Sequence, residues 1–544
     1  MLRISFIKKN LHSIILVLIL CISFFLRMYK ISQVPASLAP DEVALGYNAF
    51  SLLHTGMDEH GKFLPLSFVS FGDGKLPVYI YFDTLFIALA GLTELTVKIP
   101  SILSGVIATF LIFSIGNLLF KNKSIALFCA LLYAVSPWNI YFSRMAYEAN
   151  LATTLFLGGL YFYLLHIVQN KKNSIIISSF LFSLTIFTYH SYVLFTPLFF
   201  VMVSFLFRKN IRRDRSTVFA VGIFLTFLII AYFSIIKGSI IKAGNVGIFN
   251  NKDIIYNRVE VLRGDNVLGN DVIKKVFYNK YLGVSYQIIQ NYLLSFSPAF
   301  LFDKGGEKLL HNLGFFGNLY VIEALFILVG ISSLFWNKEK YVPLLLIWGI
   351  LGPIPSSITE DAPNTARLMT IMPLLVLISA YGFYSLLRYV KKFKTIRWLL
   401  YTVIFLVFFI NVGYFVDIYF EHMNYHRARF FLYSFREAVF LSQRYPDYNI
   451  VVKGPDNFPY IYFLFYNSFN TRKFIKTAQY YSPTKEGFLF VKEFDRYHFA
   501  EKIDYSKLQK KTIYFDGTRL DDKKNSIFLP SGEPILGYYI TQNL

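Results

Sequence analysis

Long apolar stretches recur along the chain from residue 11 to residue 420, and many approach the ~20 residues that a helix needs to cross a bilayer. From residue 421 to residue 544 the sequence is polar, with Pro and Gly between short apolar runs. Four of those runs have the composition of strands: YNIVVKG, GFLFVKEF, KTIYFDG and PILGYYIT. A helix-like run, RFFLYSFREAVFLSQRYP, precedes the first of them. The pattern predicts a membrane domain over residues 1–420 and a small α/β domain over residues 421–544.

Composition strengthens the membrane interpretation. The chain has 544 residues, of which 55% are hydrophobic and 19% aromatic, while only 16% are charged. Soluble chains contain about 25% charged residues. The first apolar stretch is longer than a signal-peptide core and lacks a small-x-small cleavage site, so we expect a retained anchor. Both cysteines, Cys21 and Cys129, lie in apolar segments, which argues against a disulfide framework.

The net charge of +21 is a topology signal rather than a sign of nucleic-acid binding. Six short loops together contain 19 basic residues and two acidic ones. These loops lie near residues 3–9, 121–123, 171–172, 208–215, 338–340 and 388–397. Short loops rich in Lys and Arg mark the cytoplasmic side of a membrane.

Placing all six loops inside predicts an α-helical multi-pass membrane protein with about eleven transmembrane helices, a cytoplasmic amino terminus and an extracytoplasmic carboxyl-terminal domain. The predicted spans are 11–29, 99–120, 124–142, 151–169, 174–190, 191–207, 216–236, 312–336, 341–358, 367–387 and 398–420. The apolar stretch 76–92 must then lie along the outer face, within a first outer loop over residues 30–98. In the outer loop 237–311, the run VSYQIIQNYLLSFSPAFLF predicts an amphipathic surface helix.

The first outer loop carries two adjacent carboxylates, Asp41 and Glu42, directly after Pro40. The apolar spacing that follows predicts an amphipathic surface helix that stops at Gly56. A carboxylate at a helix start is often only a cap, because it accepts backbone N–H bonds and suits the helix dipole. The pair alone therefore leaves both a structural and a catalytic role open.

A single lysine stands in a rigid context further along the same loop, in SFGDGKLPVYIYF. Gly72, Gly74 and Pro77 predict a tight turn around Lys75 at the membrane surface. A lysine that only extends toward lipid headgroups needs no such turn. A compact cation on a fixed turn suits a phosphate group.

These segments resemble a known family. PDE at residues 40–42, then GDGKLPVYIYF, LTELTVKIPSILSG and SPWNIYFSRMAYEAN are similar to the protein O-mannosyltransferase and aminoarabinose transferase group. That group belongs to the C-type glycosyltransferases, multi-pass membrane enzymes that use polyprenyl-phosphate sugars. The resemblance runs through residues 30–150, with a weaker match at IPSSITEDAPNTARLMTIMP. It implies a fold of about eleven helices with an outward-facing active site.

The resemblance also implies a role for each matching residue. Asp41 would be the general base that takes a proton from the acceptor hydroxyl, with Glu42 beside it. Lys75 would hold the donor phosphate, although this sequence has Leu76 where the family usually has proline. In this family the second outer loop commonly carries another acid, for which Glu148, in the predicted second outer loop over residues 143–150, is the nearest match.

Two arginines extend this candidate site. Arg367 matches an arginine of related bacterial chains, and Arg144 could assist Lys75 at the phosphate. Arginines near helix ends also anchor to lipid headgroups, so both interpretations stay open. These cations could suffice without metal, but a divalent metal stays open because several potential ligands are predicted on the outer side: Asp41, Glu42, Glu148, Glu360, Asp361 and His190. His190 could instead only cap a helix end.

The sequence thus predicts an inverting glycosyltransferase that moves a hexose or pentose from a polyprenyl-phosphate donor to a protein, lipid or polysaccharide acceptor at the outer face of the cell membrane. The expected partners are the lipid-linked donor, the acceptor and membrane lipids, and not nucleic acid. The alternative is a flippase or transporter of lipid-linked sugars without transfer chemistry. Transporters usually place charges at mid-membrane, whereas here the charges gather at one face. A polymerase or ligase for surface polysaccharide would share the donor and differ in the acceptor.

Overall fold

The computed structural model describes residues 2–212, 214–236, 247–248, 252–265, 271–484, 487–520 and 525–541. The chain is mostly helical. Its α-helices in chain order are α1 (Leu2–Met28), α2 (Pro40–Thr55), α3 (Pro77–Ala90), α4 (Glu94–Phe120), α5 (Lys123–Val135), α6 (Pro137–Ser143), α7 (Glu148–Gln169), α8 (Ser174–Ile186), α9 (His190–Leu206), α10 (Arg215–Ala231), α11 (Lys252–Gly264), α12 (Asp271–Phe277), α13 (Lys280–Leu294), α14 (Val321–Trp336), α15 (Val342–Leu351), α16 (Ile354–Ser357), α17 (Met372–Val390), α18 (Arg397–Asp417), α19 (Met423–Arg427), α20 (Tyr433–Gln443), α21 (Tyr460–Tyr466) and α22 (Thr471–Thr477).

The strands in chain order are β1 (Phe68–Ser70), β2 (Asp73–Lys75), β3 (Asn449–Lys453), β4 (Gln479–Tyr480), β5 (Val491–Phe494), β6 (Tyr497–Ala500), β7 (Thr512–Asp516), β8 (Ser526–Phe528) and β9 (Pro534–Thr541). The first two form an antiparallel hairpin, and the other seven form one sheet in the order β4-β5-β6-β3-β7-β9-β8. Within that sheet β3 runs parallel to both β6 and β7.

Six helices of the described chain are long and apolar enough to cross a membrane: Asn10–Met28, Glu94–Phe120, Glu148–Gln169, Arg215–Ile235, Met372–Val390 and Arg397–Arg427. The pair α5 and α6 passes the same test but bends by 54°, which brings the number to seven if the pair is one span. The protein is therefore a multi-pass membrane protein. The shorter apolar helices α8, α9, α14 and α15 coincide with the other four predicted spans, so the number of eleven stays a prediction.

Contacts divide the chain into two compact units. The first contains Met1–Leu26, Ser104–Phe142 and Ala149–Phe415, and the second contains Arg27–Leu103, Ser143–Glu148 and Val416–Leu544. The second unit thus combines the first predicted outer loop, a short segment of the second and the carboxyl-terminal part. The predicted boundary at residue 420 separates membrane residues from extracytoplasmic ones, which is a different division from these two units, and it stays a prediction.

In the first unit, α14 and α17 pack closely through two glycines. A Cβ atom built on Gly382 would lie 1.8 Å from the Phe326 carbonyl oxygen, and one on Gly330 would lie 2.3 Å from that of Ile378. Small residues let helix backbones approach in this way inside membranes. In the predicted outer loop 237–311, a helix is confirmed over the first part of the predicted run, VSYQIIQNYLL, which belongs to α13, while its place at the membrane surface stays a prediction. Residues 237–246, 249–251 and 266–270 of this loop lie outside the described residues.

In the second unit, the predicted strands of the carboxyl-terminal part are confirmed as β3, β5, β7 and β9, and the predicted helix before them as α20. The alternation in NIVVK explains β3, because Ile450 and Val452 are fully buried while their neighbours are only half-buried. The strands β4, β6 and β8 were not predicted. They are two to four residues long, too short to show a period-2 pattern.

Helix α2 begins at Pro40 and ends at Gly56, whose φ of 70° is the left-handed conformation that terminates helices. The prediction of an amphipathic surface helix is wrong for α2, because most of its residues are buried. The reason is that α2 packs against both α3 and α21. A Cβ atom on Gly46 would lie 2.5 Å from Val97 Cγ2 and 2.7 Å from the Phe465 ring, so a larger residue there would displace these side chains.

The predicted threading can be tested with single cysteines placed in a background in which Cys21 and Cys129 are replaced by serine. Lys171 and Arg212 lie in predicted cytoplasmic loops, and Lys62 and Glu360 in predicted outer ones, and all four side chains are exposed. We expect an impermeant maleimide to label cysteines at Lys62 and Glu360 in intact cells, and those at Lys171 and Arg212 only after permeabilisation. Labelling of Arg212→Cys in intact cells, with protection of Glu360→Cys, would reverse the orientation.

Candidate functional site

Five of the six candidate residues lie together in the second unit, at the start of α2, the end of the β1–β2 hairpin and the segment 143–148. Asp41 and Glu42 occupy the first turn of α2, with Pro40 at its first position. The two carboxylates point into different surroundings: the Asp41 side chain is 48% exposed, whereas Glu42 is fully buried. Residues adjacent on a helix point about 100° apart, which accounts for the difference.

The hairpin turn that precedes Lys75 consists of Phe71 and Gly72, which have φ angles of 63° and 83°. Two successive residues with positive φ match the tight turns that suit the twist of a hairpin. Gly72 is also required by space, because a Cβ atom there would lie 2.1 Å from the carbonyl oxygen of Gly487. A tight turn is therefore present, but it lies at Phe71 and Gly72 rather than around Lys75, which is the last residue of β2, two residues before the first residue of α3.

The Lys75 ammonium is only 5% exposed, and its Nζ atom lies 2.5 Å from Oδ1 of Asp41. The Nζ atom also lies 5.5 Å from the centroid of the Phe71 ring. Burial lowers the pKa of Lys75, but the carboxylates of Asp41, Glu148 and Asp73 outweigh burial and hold this pKa above its usual value. The lysine therefore stays charged, with acids on several sides.

Glu42 connects the first and second predicted outer loops. Its Oε2 atom accepts the Ala39 N–H at 2.9 Å and so caps its own helix, while Oε1 accepts the Ala146 N–H at 2.6 Å. Ala146 stands two residues before Glu148, the half-buried first residue of α7. Burial raises the pKa of Glu42, and the Lys98 ammonium and these two backbone donors oppose that shift. Glu42 thus positions the segment that carries Glu148.

Arg144 lies in the same segment and is fully buried. Its guanidinium donates to the carbonyl oxygens of Arg27 at 3.0 Å and Val34 at 2.9 Å, and to the Tyr419 hydroxyl at 3.2 Å. It also stacks 4.7 Å from the centroid of the Phe420 ring. These contacts favour a role in holding chain segments together, and phosphate binding by Arg144 stays a prediction.

Arg367 belongs to the first unit, where it is part of a compact polar loop. Its guanidinium pairs with Asp361 and donates to the Thr359 hydroxyl at 2.9 Å. Asn364 accepts the Arg367 N–H at 3.1 Å and donates to Asp361 at 2.7 Å. Burial raises the pKa of Asp361, but Arg367 and the surrounding donors more than offset this and lower the pKa below its usual value. A phosphate role for Arg367 stays a prediction.

The other potential metal ligands are spread along the first unit: His190 is the first residue of α9, and Glu360 is exposed beside Asp361. Within the described residues, no three His, Cys, Asp or Glu side chains are grouped so that they could hold a metal ion. The described residues therefore provide no particular set of ligands for the divalent metal that the sequence leaves open.

A buried polar network supports the hairpin and was not predicted. Glu59 accepts from the Tyr460 hydroxyl at 2.9 Å and from Nδ2 of Asn48 at 3.2 Å, and Asn48 also donates to the Ser70 hydroxyl at 3.0 Å. The network joins α2, β1 and α21. The polar residue Asn48 among the apolar residues of α2 is the one local sequence signal of this network. The contact between Glu59 and Tyr460 could not be predicted from sequence spacing, because the two residues are 401 positions apart.

Comparison with known proteins confirms the resemblance seen in the sequence. A family model of the dolichyl-phosphate-mannose-protein mannosyltransferases matches residues 74–235. The matched segment includes Lys75, Arg144 and Glu148. No curated protein sequence matches the chain.

Among solved structures, the oligosaccharyltransferase AglB from Archaeoglobus fulgidus, in complex with an inhibitory peptide and a dolichol-phosphate, is similar at 13% identity and a TM-score of 0.49. The match covers 84% of this chain and 63% of that chain, less than two thirds of its length. ArnT from Cupriavidus metallidurans, bound to undecaprenyl phosphate, is similar at 12% identity and a TM-score of 0.46, with 84% of this chain and 85% of that chain covered.

The positioning role of Glu42 can be tested by its effect on stability. Glu42→Ala removes the acceptor of two backbone N–H groups, and each buried donor left unpaired costs about 1–3 kcal/mol. We expect the detergent-purified variant to unfold at a clearly lower temperature than the parent protein. Asp447→Ala is the control, because it removes an exposed carboxylate and should shift the unfolding temperature much less. Equal unfolding temperatures for Glu42→Ala and the parent would contradict the role.

Proposed function

We propose that this protein is an inverting glycosyltransferase that moves a sugar from a polyprenyl-phosphate donor to a protein, lipid or polysaccharide acceptor outside the cytoplasm. The observation that carries the proposal is the ion pair between the buried Lys75 ammonium and the half-exposed Asp41 carboxylate. Sugar transfer from a lipid phosphate needs a cation at the leaving phosphate and a base at the attacking hydroxyl. The pair supplies both groups, and the family match at residues 74–235 gives independent support.

Lys75 binds the donor phosphate in this proposal. The phosphodiester of the donor carries one negative charge, and the phosphate monoester that leaves carries more. A cation fixed in a place that excludes water stabilises this developing charge more strongly than an exposed one would. The short hairpin and Pro77 fix the backbone on both sides of Lys75, so little reorganisation is needed during the reaction.

Asp41 is the general base. Its side chain is 48% exposed, so an acceptor hydroxyl can approach it, and its position at the start of α2 holds it in place. The donor phosphate competes with Asp41 for the Lys75 ammonium. When the phosphate takes over that ammonium, the Asp41 carboxylate is released from its ion pair and can accept the proton of the acceptor hydroxyl.

The transfer then balances as a single displacement. The acceptor oxygen forms a bond to the anomeric carbon on the face opposite the phosphate, and the bond between that carbon and the phosphate oxygen breaks. Its electron pair leaves with the polyprenyl phosphate, and the acceptor proton moves to Asp41. Attack from the opposite face inverts the anomeric configuration.

The remaining candidates have supporting roles in this proposal. Glu148 contributes a second carboxylate near Lys75. Glu42 and Arg144 position the segment 143–148 through their contacts with backbone groups. Arg367 adds a cation for the donor phosphate. The amino terminus lies in the cytoplasm and the carboxyl-terminal part outside it, so the reaction takes place at the outer face of the cell membrane.

Asp41→Asn tests the base. Asparagine has nearly the same shape as aspartate, but it cannot accept the proton. We expect transfer of labelled sugar from a polyprenyl-phosphate donor by the purified variant to fall by roughly 10²–10⁴-fold, while the protein accumulates normally in membranes. The same substitution at an exposed site, Asp447→Asn, should leave the rate unchanged. Near-normal transfer by Asp41→Asn would mean that Asp41 is not the base.

Mass spectrometry of envelope glycans tests the proposed transferase function in the cell. A strain that lacks the protein should lose a glycan that the parent gene restores and the Asp41→Asn gene does not. Unchanged glycans in the deletion strain would argue against the transferase function.

A further inference from the structure

A second polar cluster lies where the direction of the chain through the seven-stranded sheet reverses. After β3 the chain forms β4, β5 and β6 on one side of β3, and it then crosses to form β7 on the other side. Both neighbours run parallel to β3, so the carboxyl ends of β3 and β7 lie at the same edge. In open α/β sheets, ligands bind in the crevice outside the carboxyl ends of the strands at such a point.

The carboxylate of Asp516 accepts hydrogen bonds from three residues at this edge. Lys453, the last residue of β3, donates to Asp516 Oδ2 at 3.1 Å and to the Thr518 hydroxyl at 2.7 Å. The Tyr505 hydroxyl donates to the same Oδ2 atom at 2.9 Å. The backbone N–H and the hydroxyl of Thr518 donate to Oδ1 at 2.8 Å and 2.7 Å. Asp516 therefore serves as an anchor, since its acceptor sites are already taken.

The cluster presents positive charge. The Arg519 guanidinium stacks 4.4 Å from the centroid of the Tyr505 ring. No carboxylate of the described residues forms an ion pair with Arg519. Among the described residues of this cluster, the two cations Lys453 and Arg519 outnumber the single carboxylate of Asp516. The planar guanidinium of Arg519 suits a carboxylate or a phosphate.

A cavity of about 300 Å³ opens beside this cluster. Its lining includes Tyr505, Tyr514, Asp516, Arg519, Gly537 and Tyr539. The register of β7 and β9 places Tyr514 opposite Tyr539 and Asp516 opposite Gly537, so these four residues share one face of the sheet. Gly537 lets the backbone of Arg519 approach β9 closely, because a Cβ atom on residue 537 would lie 2.0 Å from the carbonyl oxygen of Arg519. The volume is at the small end of the ~300–1,000 Å³ typical of ligand sites.

The lining suits a sugar. Tyrosine rings offer a flat apolar face and a polar tip, and the Tyr539 ring is 47% exposed. A sugar ring likewise has apolar faces and a polar edge, and a small cavity holds a mono- or disaccharide unit rather than a long chain. We propose that this cavity binds a carbohydrate with an anionic substituent, a carboxylate or a phosphate, with the sugar against Tyr539 and the anion on Arg519. The inference does not depend on the transferase function.

The test is a binding titration of the full chain, purified in detergent, with three probes. Tetragalacturonic acid is the anionic sugar, maltotetraose the neutral sugar, and inorganic phosphate the anion without a sugar. We expect tetragalacturonic acid to bind most tightly. Arg519→Gln should weaken its binding by roughly 10–100-fold, because a charge-assisted contact is lost. Tyr539→Ala should weaken it by roughly 2–10-fold, whereas Tyr539→Phe, which keeps the ring, should bind nearly as the parent does.

Exposed residues outside the cavity provide matched controls, and Arg472→Gln and Tyr425→Ala should bind as the parent does. Asp41→Asn should also bind the probe normally, which separates this site from the transfer reaction. Lack of binding by tetragalacturonic acid, or unchanged binding in Arg519→Gln and Tyr539→Ala, would overturn the proposal. If maltotetraose binds as tightly as tetragalacturonic acid, the proposal that the ligand is anionic is overturned. If phosphate binds as tightly, the proposal that the ligand is a carbohydrate is overturned.

Discussion

The ion pair between Lys75 and Asp41 is the interaction on which the account of this protein depends. A charge that is almost completely removed from water must be paired, because its desolvation is otherwise too costly. Lys75 meets this requirement with a carboxylate that is itself half-exposed, so the pair has one buried and one accessible end. An arrangement of this kind lets an incoming anion exchange with the carboxylate at the surface without moving the lysine. In the proposed mechanism this exchange joins phosphate binding and base release in one step.

Other buried polar groups keep that pair in place. Glu42 holds the segment 143–148 through a backbone N–H group, Arg144 holds three chain segments through two carbonyl groups and a hydroxyl, and Glu59 joins α2 to α21. A buried donor or acceptor that loses its partner typically costs about 1–3 kcal/mol, so each contact resists displacement. The first predicted outer loop therefore owes its shape to distant parts of the second unit as well as to its own sequence.

Features governed by local sequence could be predicted. Pro40 and Gly56 give the ends of α2, the Gly72 turn gives the hairpin, and alternation gives β3. Features governed by distant partners could not. The sequence alone does not show that α2 would be covered by α21, or that Glu59 would meet Tyr460, since no periodicity links residues so far apart. The structure brings Asp41, Lys75 and Glu148 together, whereas their roles rest on the proposal.

The affinity for undecaprenyl phosphate tests most directly whether donor binding and base release are coupled. If the phosphate must displace Asp41 from Lys75, Asp41→Asn should bind this lipid about two- to fivefold more tightly than the parent, because a half-exposed carboxylate no longer competes for the ammonium. The gain should vanish when Asp41→Asn is combined with Lys75→Ala. Weaker binding by Asp41→Asn, or an equal gain in the absence of Lys75, would contradict the account.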